Sequence, residues 1–178
     1  MAIMPIITYG NCILRQKAEE VKEITPEIRA IVRNLEDTLG QEDGIGIGLA
    51  APQLGISKRI LVIDLKRSKE DRRIALINPK IVYKSDEKSD YEEGCLSVPG
   101  VWGNVRRPKK VKVKATLISG KTMIMDADDL FARVLQHEID HLNGILFIDL
   151  LDPEDKDRNR IQINAIAEEN RKRGEICL

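Results

Sequence analysis

The sequence lacks both a long hydrophobic run and an excess of charge of either sign. No apolar stretch approaches the roughly 20 residues that cross a bilayer, and the N-terminus shows no basic region followed by a long apolar segment, as a secretory signal would. Basic and acidic residues number 29 each, so the charge balance creates no general attraction to nucleic acid or to an anionic membrane. We therefore expect no DNA partner and no membrane partner.

Cysteines are scarce as well, and the only three are Cys12, Cys95 and Cys177. An odd number scattered along the chain argues against a disulfide framework and favours a reducing compartment. We therefore expect a cytoplasmic protein in which each thiol is a small buried group, a reactive group or a metal ligand.

The composition, 42% hydrophobic and 33% charged over 178 residues, suits one globular domain spanning 1–178, and no repeat or linker divides it. Apolar residues at helical spacing predict helices at three places, 25–39, 128–143 and about 153–174. Runs of branched residues, or alternation of lysines with apolar residues, predict strands at three places, 59–65, 74–83 and 110–117. Strands in the middle with helices at the ends indicate an α+β fold.

The helix predicted at 128–143 contains the run His137-Glu138-Ile139-Asp140-His141. Residues four apart lie on one helix face, so the two histidines can bind one metal ion together. Glu138 lies beside them, where a carboxylate can take a proton from metal-bound water. These are the only two histidines in the chain, so their pairing with a glutamate predicts a catalytic metal site.

Such a site needs a third protein ligand and one open position. Phe147 stands where metzincin proteases carry their third histidine, which excludes that class. A glutamate in the C-terminal segment, as in thermolysin-like peptidases, remains an alternative through Glu154, Glu168 or Glu169. Cys95 is the other candidate, because the glycines in Glu93-Gly94-Cys95-Leu96-Ser97-Val98-Pro99-Gly100 allow a close backbone approach. A non-catalytic structural zinc module is a further alternative.

A third segment, Gly44-Ile45-Gly46-Ile47-Gly48-Leu49-Ala50-Ala51-Pro52-Gln53, is rich in glycine and alanine and ends in glutamine. Such a run can lie flat against a ligand and present an amide N–H. It lacks the lysine followed by Ser or Thr that phosphate-binding loops carry.

Together the three segments resemble the peptide deformylases, whose signatures are Gly-[Val/Ile]-Gly-Leu-Ala-Ala-x-Gln, Glu-Gly-Cys-Leu-Ser and Gln-His-Glu-x-Asp-His. They stand here at 46–53, 93–97 and 136–141. One departure is Asn11-Cys12, where family members commonly have Asp-Pro in a turn. The resemblance implies mixed, mainly antiparallel β-sheets around a central HExxH-bearing helix, with an N-terminal and a C-terminal helix.

The resemblance also implies a role for each matching residue. The metal ligands would be Cys95, His137 and His141. Glu138 would be the general acid/base, and Gln53 with the backbone N–H of Leu96 would form the oxyanion site. The methionine pocket would be lined by four residues, Ile47, Gly48, Leu130 and Val134.

The implied enzyme is a formyl-L-methionyl peptide amidohydrolase, in which metal-bound hydroxide attacks the formyl carbon and formate leaves. The implied cofactor is one divalent ion per chain, Fe(II) natively, with Zn, Ni or Co as substitutes. The implied partners are formyl-Met nascent peptides. A transient ribosome contact through the C-terminal tail is a secondary hypothesis, motivated by the basic cluster Arg171-Lys172-Arg173 on a thinly apolar helix. Glu93 and Asp140 are candidates for orienting the ligands.

Overall fold

The computed structural model describes residues 3–41, 46–64 and 73–173. Its three α-helices are α1 (Pro26–Gln41), α2 (Asp129–His141) and α3 (Pro153–Lys172). Its seven strands are β1 (Gly48–Ala50), β2 (Ile60–Ile63), β3 (Ile74–Lys84), β4 (Lys88–Cys95), β5 (Val98–Pro108), β6 (Lys110–Thr116) and β7 (Thr122–Asp128). The α+β class and all three helices are therefore confirmed.

The strands form two separate antiparallel sheets. Five of them pair in the order β1-β2-β3-β6-β7, whereas β4 and β5 pair only with each other within the part of the chain described. The sequence predicted β2, β3 and β6 at nearly their observed bounds; Leu65, in the predicted strand 59–65, lies outside the described residues. It did not predict β1, β4, β5 or β7, and the helix predicted at 128–143 begins one residue later, because Asp128 is the last residue of β7.

Both faces of the five-stranded sheet are covered, one by α1 and the other by α2. Along β2, Ile60 and Val62 pack with the apolar residues of α1, whereas Leu61 and Ile63 pack with those of α2. Because side chains alternate across a strand, a strand buried on both faces reads as a continuous apolar run. The sheet therefore fixes α2, and with it the two histidines, on one of its faces.

The two-stranded sheet has its own core, shared with the chain termini. Val98, Val101 and Val105 of β5 pack with Phe147 and with Ile166 of α3. β6 separates its faces as expected: Val111 and Val113 are buried, while its lysines point outward.

Helix α3 docks through polar contacts more than through its thin apolar face. Asn170, 3% exposed, donates from Nδ2 to Thr8 Oγ1 and to the Tyr9 carbonyl, both at 2.8 Å. The buried carboxylate of Asp155 accepts from the Asn104 N–H. By contrast, Ile161 is 80% exposed.

The departure at residues 11 and 12 keeps a turn. The Asn11 side chain accepts from the Ile13 N–H at 3.1 Å and caps a 3-10 helix, Cys12–Arg15. Cys12 is disulfide-bonded, and Cys177 lies outside the described residues. The expectation of unpaired thiols was wrong for Cys12, because spacing along a chain does not give distance in space.

No helix among the described ranges is both long enough and apolar enough to cross a membrane.

Candidate metal centre

Helix α2 presents both histidines from one face. Ala132, Leu135 and Ile139 are buried against the sheet. The ring centroids of His137 and His141, one turn apart, lie 5.1 Å from each other. The helix ends at His141, and Gly144 follows with a φ of +74°, the left-handed conformation that glycine adopts without strain.

Cys95, the last residue of β4, meets the histidines from the separate sheet. Its Sγ lies 3.3 Å from His141 Nε2, and the ligand atoms of Cys95, His137 and His141 all lie within 4.8 Å of one another. The preceding Gly94 lies against the Trp102 ring, where an added Cβ would be 2.8 Å from a ring carbon. The close packing around Gly94 therefore brings the thiol to the histidine pair.

The alternative third ligands do not join this cluster. Glu154, Glu168 and Glu169 are exposed on α3, and the last two pair with arginines of the same helix. Phe147, at the third-histidine position of metzincins, is buried and stacks on His137 with a centroid distance of 6.1 Å. The thermolysin-type alternative is therefore not favoured.

A buried carboxylate orients His137. Glu93 Oε2 accepts from His137 Nδ1 at 2.9 Å, while Arg107 and Arg133 donate to Oε1 at 2.7 and 2.6 Å. Arg107 also donates to Asp140 at 2.6 Å, so Asp140 reaches His137 only through Arg107 and Glu93. A ligating histidine whose second nitrogen bonds a carboxylate keeps a fixed ring orientation.

Glu93 should make stability sensitive to acid. Burial raises its pKa, but hydrogen bonds from His137 and Arg107, with the charge of Arg107, lower the pKa from 4.5 to about 2. Because this folded-state pKa lies below the unfolded one, the contribution is complete above pH 4.5 and is lost as pH falls toward 2. The shift corresponds to about 3 kcal/mol. We expect Glu93→Gln to reduce this dependence.

Urea unfolding of the metal-free protein at pH 5.5 and at pH 3 would measure the effect. Glu92→Gln is the matched control, because Glu92 is exposed on the same strand. Equal loss of stability in the unchanged protein and in Glu93→Gln would contradict the expectation.

Glu138 lies beside the ligands and is almost fully buried. It is 4% exposed, and its Oε2 has no hydrogen-bond partner among the described residues. A Cβ added at Gly48 would lie 2.5 Å from Glu138 Oε1, so this glycine makes room for the carboxylate. Burial raises the pKa of Glu138 to about 7, which suits proton transfer near neutral pH.

The two histidines differ in their surroundings. Burial lowers the pKa of His141 well below its ordinary value, which keeps the ring neutral, as a ligand must be. Burial also lowers the pKa of His137, but its hydrogen bonds with Cys95 and Glu93 outweigh burial, and the pKa lies well above the ordinary value. A bound metal ion would instead favour the neutral His137 ring, because imidazole binds metal only when the binding nitrogen carries no proton.

Gln53 and Leu96, the residues predicted to form the oxyanion site, both lie beside Cys95. The Gln53 amide is 2% exposed; its Oε1 accepts from the Ala50 N–H at 2.8 Å, which fixes the amide orientation. Its Nε2 then points to Ser97 Oγ at 3.2 Å and to Cys95 Sγ at 3.7 Å. The donor therefore faces the ligand cluster.

An open cavity of about 310 Å³ leads to the cluster. All four predicted pocket residues line it: Ile47, Gly48, Leu130 and Val134. Tyr91, Trp102 and Arg133 also line it, and the sequence had not indicated them. An arginine on a helix and aromatic residues on a strand form no local sequence pattern that indicates a binding site. Only their position beside Cys95 in the folded chain shows that they line the cavity. Gly44 and Ile45, the first two residues of the glycine- and alanine-rich segment, lie outside the described residues.

The sequence is similar to those of known proteins. A family model described as polypeptide deformylase matches residues 3–157. The chain is 50% identical to the peptide deformylase of Desulfitobacterium hafniense over 149 residues, covering 84% of this chain and 95% of that relative. It is 40% identical to the Psychrobacter arcticus peptide deformylase over 175 residues, or 98% of this chain and 94% of that one.

Solved structures agree. A Plasmodium falciparum peptide deformylase in complex with an inhibitor superposes with a TM-score of 0.84 at 38% identity, covering 92% of this chain and 99% of that one. Arabidopsis thaliana peptide deformylase 1B superposes with a TM-score of 0.89 at 34% identity, covering 96% and 93%. On this sequence and structural similarity, the chain belongs to the peptide deformylase family.

Proposed function

We propose that this chain removes the formyl group from the N-terminal formyl-methionine of nascent polypeptides and releases formate. One observation carries the proposal: the carboxylate of Glu138, whose buried Oε2 has no hydrogen-bond partner within ranges 3–41, 46–64 and 73–173, lies beside three converging metal ligands at the end of an open cavity. A structural zinc module would have a fourth protein ligand and no buried base.

The donor set fits a divalent metal ion. One thiolate and two imidazole nitrogens are ligands that transition metals accept, and three of them leave one position open. Cys95, His137 and His141 would hold the ion. When bound, such an ion lowers the pKa of water and polarises a carbonyl oxygen.

The surrounding residues provide the remaining chemistry. Glu138 takes a proton from the attacking water and returns it to the amine that leaves. The Gln53 amide and the Leu96 backbone N–H donate to the oxygen that becomes negative as the formyl carbon turns tetrahedral. Such donors are typically worth about 3 kcal/mol each in the transition state.

The cavity accounts for the methionine. Ile47, Leu130 and Val134 give it an apolar lining, on which a thioether side chain packs favourably. Leu130 and Val134 lie on α2, one turn apart and N-terminal to His137. A methionine side chain bound against them would therefore hold the formyl group beside the ligand cluster.

Formate release from a formyl-Met peptide, with anaerobically prepared protein loaded with iron or nickel, tests this function. The same peptide without its formyl group is tested for cleavage. Formate release without cleavage is the expected result. Cleavage of internal peptide bonds without formate would favour a peptidase, and neither activity in protein with stoichiometric metal would indicate a structural site.

Fe(II) is the ion that we propose for the native protein, with Zn, Ni or Co as substitutes. A thiolate beside ferrous iron makes both sulfur and iron open to oxidation. Activity of the iron-loaded protein should therefore decline in air over hours and persist under nitrogen, while the nickel-loaded protein should differ less. Identical activity of the iron-loaded protein in both atmospheres would contradict the expected oxygen sensitivity of an iron–thiolate site.

We also propose a transient ribosome contact through the C-terminal end of α3, because the substrate emerges at the ribosome. Arg171, Lys172 and Arg173 are exposed, which suits contact with ribosomal phosphates. Replacing all three with alanine should reduce cosedimentation with ribosomes. Arg158 and Arg160, exposed nearer the start of α3, are the matched control, and undiminished cosedimentation would contradict the contact.

One catalytic domain and a cytoplasmic location complete the proposal. Residues from β1, β4, β5 and α2 line the same cavity, which supports a single folding unit. A single unfolding transition would support one domain, and two independent transitions would contradict it.

The cytoplasmic location is supported by the nascent substrate. Cysteine usage no longer supports this location, because Cys12 is disulfide-bonded.

A further inference from the structure

The metal ligands come from two parts of the fold that no shared sheet connects. Cys95 lies on the two-stranded sheet of β4 and β5, whereas His137 and His141 lie on α2, which packs on the five-stranded sheet. The distance from the thiolate to the imidazoles therefore depends on how the β4–β5 sheet sits against α2.

A single guanidinium on α2 bonds to both strands of that sheet. Arg133 Nη1 donates to Glu93 Oε1 at 2.6 Å and to the Val105 carbonyl at 2.9 Å. Its Nη2 donates to the Ser89 carbonyl at 2.8 Å and to Ser89 Oγ at 3.1 Å. Glu93 and Ser89 belong to β4 and Val105 to β5, so Arg133 holds both strands at once.

The hydrogen bonds of Arg133 are buried away from water. The Arg133 side chain is 7% exposed and that of Glu93 is 5% exposed. Charge-assisted hydrogen bonds are about twice as strong as neutral ones, and the planar guanidinium fixes the directions of its acceptors. Removing Arg133 would leave the buried Glu93 carboxylate with one arginine, Arg107, instead of two, and loss of a buried charged partner is costly.

The same contact reaches a metal ligand. Arg133 lies one helical turn before His137, and the Glu93 carboxylate accepts from both side chains. Arg107 makes a second link between the sheet and α2, from Glu93 to Asp140, but it does not bond to Ser89 or Val105 among the described residues.

We propose that Arg133 is a positioning residue of the metal site: it fixes the Cys95-bearing sheet and the Glu93 carboxylate relative to the histidines. This role of Arg133 depends on the metal site proposed above. Arg133 lines the cavity but bonds to none of the three ligands among the described residues, so its effect on the ion must pass through Glu93 and the β4–β5 sheet.

The test compares Arg133→Met, Arg133→Lys and Arg106→Met in the Co(II)-loaded protein. Arg106→Met is the matched control, because Arg106 is an exposed residue of β5. The measurements are the rate of Co(II) loss to a chelator and the visible absorption of Co(II), which reports its ligand geometry. Tm of the metal-free protein is measured in parallel.

We expect Arg133→Met to accelerate metal loss by about tenfold or more, as changes to groups that orient metal ligands do, and to alter the Co(II) spectrum. Arg133→Lys keeps the charge but cannot reach all four acceptor atoms of Arg133, so its rate of metal loss should fall between those of Arg133→Met and the unchanged protein. Arg106→Met should match the unchanged protein. If Arg133→Met does not fold, the lysine variant carries the test.

Metal loss and spectrum equal to those of the unchanged protein, with only a lower Tm, would mean that Arg133 is merely structural and would overturn the proposal. Full restoration by lysine would also overturn it, because charge alone would then suffice. Failure of the unchanged protein to bind Co(II) would refute the metal site itself, and a stable site without turnover would refute only the proposed function.

Discussion

Glu138→Gln should nearly abolish formate release while leaving the metal in place. The other carboxylate beside the ligand cluster, Glu93, is already bonded to His137 and two arginines, whereas Glu138 Oε2 has no hydrogen-bond partner within the described residues. Gln53 and the Leu96 N–H are donors that cannot replace Glu138. Loss of general acid–base catalysis typically lowers turnover by about 100-fold to 10,000-fold, and we expect kcat to fall within that range. The measurements are formate release under saturating substrate and bound metal per chain.

Loss of stability is not expected to explain that result. Burial raises the pKa of Glu138 from 4.5 to about 7. Because this folded-state pKa lies above the unfolded one, the favourable contribution exists at low pH and is lost as pH rises through 7. At pH 8 a neutral glutamine therefore relieves a buried charge in the metal-free protein, and Tm there should not fall.

Glu154→Gln is the matched control, because Glu154 is exposed on α3 and should leave turnover unchanged. Turnover of Glu138→Gln within about tenfold of the unchanged protein would remove Glu138 from the role of general acid/base. Loss of metal from Glu138→Gln would instead make Glu138 a ligand.

Cys95→Ser should weaken metal binding and, with it, activity. The serine hydroxyl ionises far less readily than a thiol, so the variant would offer a neutral oxygen where a thiolate belongs. Loss of groups that only orient ligands already costs about 10-fold to 100-fold in affinity, so we expect loss of a direct ligand to exceed 100-fold. Competition with a metal indicator measures the affinity.

The third-ligand alternatives supply the control for that experiment. Alanine at Glu154, Glu168 or Glu169 should leave metal affinity unchanged, because all three side chains are exposed away from the cluster. If Cys95→Ser kept its metal and one of these alanine variants lost it, the site would be of the thermolysin type.

The amphipathic helices could be predicted because their signal is local. Residues three and four apart share a helix face whatever the rest of the chain does. Ile28, Leu35 and Leu39 therefore marked α1, and His137 with His141 marked half of the metal site, before any tertiary contact was known. The branched runs of β2 and β3 were equally clear.

The strands that were missed have weak local patterns. β1 has three residues, and β7 carries Thr122, Asp126 and Asp128 on an exposed face. β4 contains four charged residues, which is unusual for a strand judged by composition. Pairing with β5, rather than intrinsic preference, stabilises β4, and pairing partners cannot be deduced from one strand alone.

The sequence by itself determined the α+β class, the HExxH pair and the Cys95 candidate, since short periodic patterns and family motifs are legible in a linear chain. Only the tertiary structure decided that Cys95 meets the histidines, that Glu93 serves His137 and two arginines, and that Cys12 is disulfide-bonded. Cys95 and His141 lie 46 positions apart, Glu93 and His137 lie 44 apart, and Glu93 and Arg107 lie on neighbouring strands. Distances of that kind follow from how elements pack, because no local preference encodes them.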